Sequence, residues 1–306
     1  MAKPQLWVKS YPYPNEVAAL ADLGQQDIGM EIFLGGDSKK NDECMKICQD
    51  NYPKTGIELF FYHGEEKRQR EVIVDPLSNN PNLSKLSRDY LFESLDLALK
   101  YKATHLQLDG GTYIAGPGSL MGEKEVLKAI SDKKELLAEI KQRYGDFPIY
   151  FENTFPINEK KPIFSLTGHR MSDFWKLGLP LEYDIAHHAV ALDIYSRAEE
   201  FNFPLNEEEK NLARKVKNVG ITAVILEELE HFPEIYFTQL SNAQHFSFDI
   251  KPDVSPEDQT KALISMDNII PVLLAKSLNV APEVEDKDYV ERPNLRAWVK
   301  NIQDII

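Results

Sequence analysis

Cysteine is nearly absent from this chain: its 306 residues hold two, Cys44 and Cys48. They lie four apart on an expected helix, where neighbouring turns rarely give disulfide geometry, so they read as reduced thiols. Positive charge is also short. Lys and Arg number 35 against 49 Asp and Glu, a formal net charge of −14 spread along the chain. Nucleic-acid binding depends on Lys and Arg displacing phosphate counterions, so this balance argues against a nucleic-acid partner. The longest uncharged apolar stretch, 269–275, falls far short of the ~20 residues that span a bilayer. Met1-Ala2-Lys3-Pro4-Gln5 lacks the apolar core of a signal peptide. A cytoplasmic protein with no membrane partner is expected. No Gly-x-Gly-x-x-Gly follows the first expected strand, which weakens a dinucleotide-binding fold. Gly116-Pro117-Gly118 has the wrong spacing for a phosphate cradle and reads as a turn. No Pro-, Gly- or Ser-rich linker interrupts the chain, so residues 1–306 are read as one domain.

With 42% hydrophobic residues the chain can bury a large core. Strand-like and helix-like runs alternate from end to end. Expected strands are Leu6–Lys9, Ile28–Leu34, Ile57–His63, His105–Asp109, Ile149–Asn153, Leu181–His187, Ile235–Leu240 and Ile270–Leu274. Expected helices are Asn15–Leu23, Asp42–Asn51 capped by Asn41, Asn82–Tyr101, Glu123–Tyr144, Ser172–Leu177, Glu207–Leu229 capped by Asn206, and Leu295–Ile305. The strands are apolar without strict alternation, as suits a parallel sheet buried on both faces. Eight such units give an α/β fold, a single (β/α)8 TIM barrel.

Several strands end in a polar side chain where a loop begins. Lys9, His63, Asp109, Glu152, Asp184, His187 and Gln239 all stand there, with His245 shortly after. In a closed barrel such ends converge on one mouth, where the chemistry of this fold sits. Each also has a simpler reading: Asp109 before Gly110-Gly111 as a turn former, Glu152 and Asp184 as paired structural acids. His105 starts its strand and His231 precedes strand seven, so both read as structural, and His169 lies in a loop. His187 and His188, if both are on a strand, point oppositely, and His188 reads as packed behind it.

The ordered set Phe151-Glu152-Asn153, Asp184-Ile185-Ala186-His187 and Gln239-Leu240-Ser241-Asn242-Ala243 with His245 resembles the xylose-isomerase-like TIM-barrel superfamily. Its members include sugar isomerases and epimerases, inosose dehydratases and endonuclease-IV-type AP endonucleases. The resemblance implies a divalent metal at the mouth, held by a Glu of strand five, an Asp of strand six, a His of strand seven and a Glu of strand eight. Glu152 and Asp184 match the first two. His187 matches the strand-six His, a substrate or metal contact. Gln239 stands where the strand-seven His belongs, and Ala275 follows the expected strand eight. The implied function is a sugar or sugar-phosphate isomerase or epimerase acting on a small polyhydroxylated substrate. Glu152 and His187 are then catalytic; Lys9, His63, Asp109, Gln239 and His245 bind substrate; Glu152 and Asp184 hold the metal. With two ligands missing, Mn²⁺, Mg²⁺ or Zn²⁺ should bind weakly or not at all. The alternatives are a non-catalytic barrel that binds a small molecule without metal, and an AP-endonuclease-type phosphodiesterase, which the acidic charge opposes.

Overall fold

In the computed structural model, described for residues 3–59, 61–63, 71–78, 80–109, 113–115, 123–154, 156, 163–165, 168–201, 203, 205–232, 234–243, 253–254, 262–284 and 290–305, eight parallel strands close into a barrel. In chain order they are Gln5–Ser10, Gly29–Phe33, Thr55–Leu59, His105–Asp109, Ile149–Glu152, Leu181–Asp184, Ile235–Leu240 and Ser277–Pro282. Each pairs with its sequential neighbour, and the eighth pairs with the first through Gln5 opposite Asn279. Helices follow the strands, which makes the chain a (β/α)8 TIM barrel. No helix among the described residues is long and apolar enough to cross a membrane.

Alternation along the strands separates two cores. Val8, Met30, Ile32, Ile57, Leu106, Leu108, Phe151, Tyr183 and Val280 belong to the main apolar cluster with the helices. The neighbouring positions face the barrel interior, where Trp7, Phe237 and Ala281 form a small separate cluster. The remaining buried positions of that set are polar or charged: Lys9, Glu31, Glu58, His105, Gln107, Glu152, Glu182, Asp184 and Gln239. Barrel interiors are usually filled by Val, Ile and Leu. This one is not.

Four expectations change. Ile270–Leu274 is not a strand; it lies within the helix Met266–Lys276. Ile269, Ile270, Leu273 and Leu274 are buried at helical spacing, with Asp267 in the first turn and Lys276 in the last, and the helix tolerates Pro271 inside it. The eighth strand is the less apolar Ser277–Pro282. Leu181–His187 divides at Asp184, whose carboxylate caps the helix Ile185–Ser196 by accepting from the His187 N–H at 3.0 Å. His187 and His188 therefore sit about 100° apart on a helix, not on opposite faces of a strand. Glu207–Leu229 is two helices, Glu207–Val219 and Ile221–His231, broken at Gly220 with φ 84°. Finally, Asp37 rather than Asn41 caps Ser38–Asn51. Asn41 is buried and instead exchanges two hydrogen bonds with the backbone of Gly35.

Candidate active site

Strands five and six are locked together at their ends by one side chain. The Asn153 amide accepts from the Asp184 N–H and donates to the Asp184 carbonyl, both at 2.8 Å. That clamp sets the Asp184 carboxylate beside Glu152. His187, one turn into its helix, leans back over both. Its Nδ1 lies 2.8 Å from the Asn153 carbonyl and 3.0 Å from Glu152 Oε1, and its Nε2 lies 3.9 Å from Asp184 Oδ2. One ligand-type atom from each of Glu152, Asp184 and His187 falls within 4.8 Å of the others. Asp184 Oδ1 also accepts from Ser241 Oγ at 3.1 Å, and Gln107 Nε2 donates to Glu152 Oε2. A backbone carbonyl that accepts from Nδ1–H leaves the Nε2 lone pair for a ligand, the usual support of a metal-binding histidine.

The eighth strand leads directly into Glu283, whose N–H donates to the Leu240 carbonyl at 2.9 Å. This is a strand-eight carboxylate at the mouth, and it corrects the reading of Ala275 as its replacement. Glu283 Oε1 is 3.2 Å from Lys9 Nζ, which also reaches Glu58 at 2.6 Å and Glu31 at 3.4 Å. Lys9 is thus buried among carboxylates, and Glu58, Glu283 and Glu31 raise its pKa well above the usual value although burial opposes them.

Burial acts on the acids in turn. It raises Glu152, against the pull of His187. It raises Asp184 to about 6, with His187 drawing it down and Glu283 and Glu152 pushing it up. A site that desolvates carboxylates in this way favours either protons or a cation. Two carboxylates and an imidazole suit Zn²⁺ or Mn²⁺.

The other sequence candidates scatter. Gln239 turns into the barrel and donates to Glu182 Oε1 at 3.0 Å. His63 ends a short strand, Phe61–His63, which pairs with Glu71–Ile73 outside the barrel rather than extending the third barrel strand. Asp109 ends strand four, with its backbone opposite Glu152; its side chain lies outside the described residues. His245 also lies outside them. His188 is buried behind the sheet, 2.9 Å from Tyr183 Oη and 3.0 Å from Glu228. Sequence reasoning missed Glu283, Glu31, Glu58 and Glu182. Glu31 and Glu58 were marked as lone acids at alternating positions of apolar strands, and Glu182 by sharing the inward parity of Asp184.

Among solved structures, similar chains share the whole barrel. A structure of the IOLI protein with a bound zinc atom matches at TM-score 0.56 and 12% identity, covering 98% of this chain and 95% of that one. D-allulose 3-epimerase from Methylomonas sp., in complex with D-allulose, matches at 0.52 and 12%, covering 98% and 90%. A protein described as a putative xylose isomerase from Rhodospirillum rubrum matches at 0.50 and 13%, covering 99% of both chains. The fold is that of the xylose-isomerase-like TIM barrels. At these identities the likeness concerns the xylose-isomerase-like fold alone. No family model and no curated protein matches the sequence.

Proposed function

We propose that the chain is an isomerase- or epimerase-type enzyme that moves a proton on a small polyhydroxylated substrate, a sugar or sugar phosphate, at the C-terminal mouth of the barrel. The observation that carries this reading is Glu283. With it, the mouth has carboxylates on strands five, six and eight, as the resemblance requires, and the main argument for a binding-only barrel falls away. Glu152, Asp184 and His187 would hold a divalent cation. Bound there, such a cation polarises a substrate carbonyl or hydroxyl.

The protein's own groups do the rest. Glu152 and Glu283 take and return the proton at the substrate carbon, and burial, which raises Glu152, makes it more basic than an exposed carboxylate. Lys9, held against Glu283 and Glu58, donates to substrate oxygens and balances charge. His187 orients a substrate hydroxyl. The acidic balance of −14 favours this over a phosphodiesterase working on nucleic acid.

The test is substrate proton exchange in D₂O, followed by NMR. Metal-stripped protein, reloaded with Mn²⁺ or Zn²⁺, is offered a panel of ketoses, aldoses and their phosphates. Ketohexoses head the panel because a similar barrel binds D-allulose. Deuterium should enter at one carbon, and Glu283→Gln should slow this by roughly 10²-fold or more without unfolding the chain. Exchange on no member of the panel would sink the reading, and full exchange by E283Q would remove Glu283 from it.

A further inference from the structure

A second group of ligand-type side chains lies deeper in the barrel. Glu31 of strand two, His105 of strand four and Glu182 of strand six each offer one atom within 4.8 Å of the others, and all three are fully buried. Glu182 stands two residues before Asp184, so this group is distinct from the mouth. Glu182 Oε2 accepts no hydrogen bond although no solvent reaches it, and Glu31 Oε2 has Lys9 Nζ 3.4 Å away as its ion-pair partner. An orphaned buried carboxylate oxygen is costly, and one set among other ligand-type atoms calls for a partner there.

The proton inventory of His105 points the same way. The Thr104 hydroxyl donates to the Thr55 carbonyl at 3.1 Å, so its oxygen is left to accept from His105 Nδ1 at 2.9 Å. Nδ1 then carries a ring proton, and Nε2 faces Glu31 Oε1, 3.0 Å away, across a gap that a proton or a metal cation must bridge. Two acceptors face each other unless something positive lies between them. A histidine with Nδ1–H bonded to a hydroxyl and Nε2 directed at carboxylates has the outer-shell support of a metal ligand.

Charge gives the third argument. Glu31, Glu58, Glu152, Glu182 and Asp184 are at most 4% exposed, and Glu283 adjoins them. Among the described residues, Lys9 is the only lysine or arginine within ion-pair distance of any of the six. One cation at the mouth still leaves the inner carboxylates with Lys9 and protons as their partners, and a second cation would displace those protons.

We propose that Glu31, His105 and Glu182 form a second, inner site for a divalent transition-metal cation. Two carboxylate oxygens and one imidazole nitrogen match the donor preferences of Zn²⁺. The cation would meet the orphaned Glu182 Oε2, a Glu31 oxygen and His105 Nε2 together, while Lys9 keeps Glu58 and Glu283 as partners. A cavity of about 630 Å³ opens near the group at the opposite end from the mouth. It is lined by Trp7, Thr104 and Asn279, and Thr104 is the residue that bonds His105.

Zinc stoichiometry of the full chain tests this. Chelator-stripped protein, dialysed against Zn²⁺ and read by plasma mass spectrometry, should take up two equivalents. The mouth-disabled variant Asp184→Asn with His187→Asn should keep one, and adding Glu182→Gln should remove it. A folded mouth-disabled variant that binds none overturns the proposal. So does an equivalent that survives E182Q, because the metal then sits elsewhere. Should the triple variant fail to fold, melting of the mouth-disabled protein decides. Zn²⁺ at 100-fold over its dissociation constant should raise Tm by about 4 °C in a chain of this size. No rise overturns the proposal equally.

Discussion

Gly56 is the sharpest mechanical test of the barrel interior. A Cβ built there would lie 2.4 Å from both Cε1 and Nε2 of His105. Real Cβ contacts are never that short, so something must move, and the ring has nowhere to go. It is buried, with Trp7, Phe237, Tyr150 and Tyr236 around it at centroid distances of 5.2, 5.4, 6.0 and 6.0 Å. Gly56→Ala would otherwise help, since the lost freedom of the unfolded chain is worth ~0.4–1 kcal/mol where the backbone permits alanine. Overpacking a filled core costs ~1–3 kcal/mol, and a rigid ring in a buried polar cluster puts this case toward the upper end. A net loss of about 2 kcal/mol is expected, which for a chain of this length lowers Tm by about 3 °C. Urea unfolding followed by circular dichroism measures it. The companion is the double variant Gly56→Ala with His105→Ala. Once the ring is gone the clash is gone, so the glycine substitution should cost less than roughly 0.5 kcal/mol in that background. An equal cost in both backgrounds, or no cost in either, would refute the reasoning.

Two further outcomes are expected. Lys9→Met removes the buried cation 2.6 Å from Glu58 and 3.2 Å from Glu283, leaving carboxylates uncompensated. Its raised pKa means that its contribution is fully present at neutral pH, so the variant should lose roughly 3–5 kcal/mol at pH 7 by denaturant titration; a loss under about 1 would refute the pairing. Asp184 behaves oppositely, because burial lifts it from 3.8 to about 6. A carboxyl raised on folding stabilises most below its unfolded pKa, and that contribution is lost as pH rises through the folded value. Asp184→Asn, which keeps the helix cap, should therefore stabilise the metal-free protein at pH 8, by at most about 3 kcal/mol, and the advantage should vanish by pH 4. A destabilised variant at pH 8 would contradict this.

The barrel was legible because its outward faces obey simple rules. Seven strands announced themselves as apolar runs between helices with charged faces, and Glu123–Tyr144 and Ile235–Leu240 were read to the residue. The mouth was legible in part, since Glu152, Asp184 and His187 were named and do converge. Strand eight was not legible. Ser277–Pro282 offers Asn, Ala and Pro, poor strand formers, next to a helix whose Ile-Ile-Pro-Val-Leu-Leu core looks more like a strand than the strand does. That one exchange hid Glu283 and with it the second carboxylate. The Leu181–His187 run was overextended for a different reason. Asp184 serves at once as strand end, helix cap and site residue, and only the cap geometry reveals the boundary.

The polar interior bears on how this fold holds together. Filling a barrel with aliphatic side chains is the low-cost solution, and buried ion pairs are seldom more stable than apolar replacements of similar volume. Here Glu31, Glu58, Glu152, Glu182 and Asp184 occupy inward positions on four different strands. Burial lifts Glu58 and Glu182 well above the usual carboxylate range, while Lys9 and His105 outweigh burial at Glu31 and hold it low. The cohesion of the barrel therefore comes from its outer layer, the continuous cluster from Leu6 to Ile302 between strands and helices. That layer offsets an interior which, as metal-free protein, is a thermodynamic burden. Stability and chemistry are divided by the alternation of the strands: the outer faces pack against helices, and the inner faces of strands one, two, three, five and six hold the charges. An acid moved by one position along any strand would enter the apolar layer, where no cation could reach it.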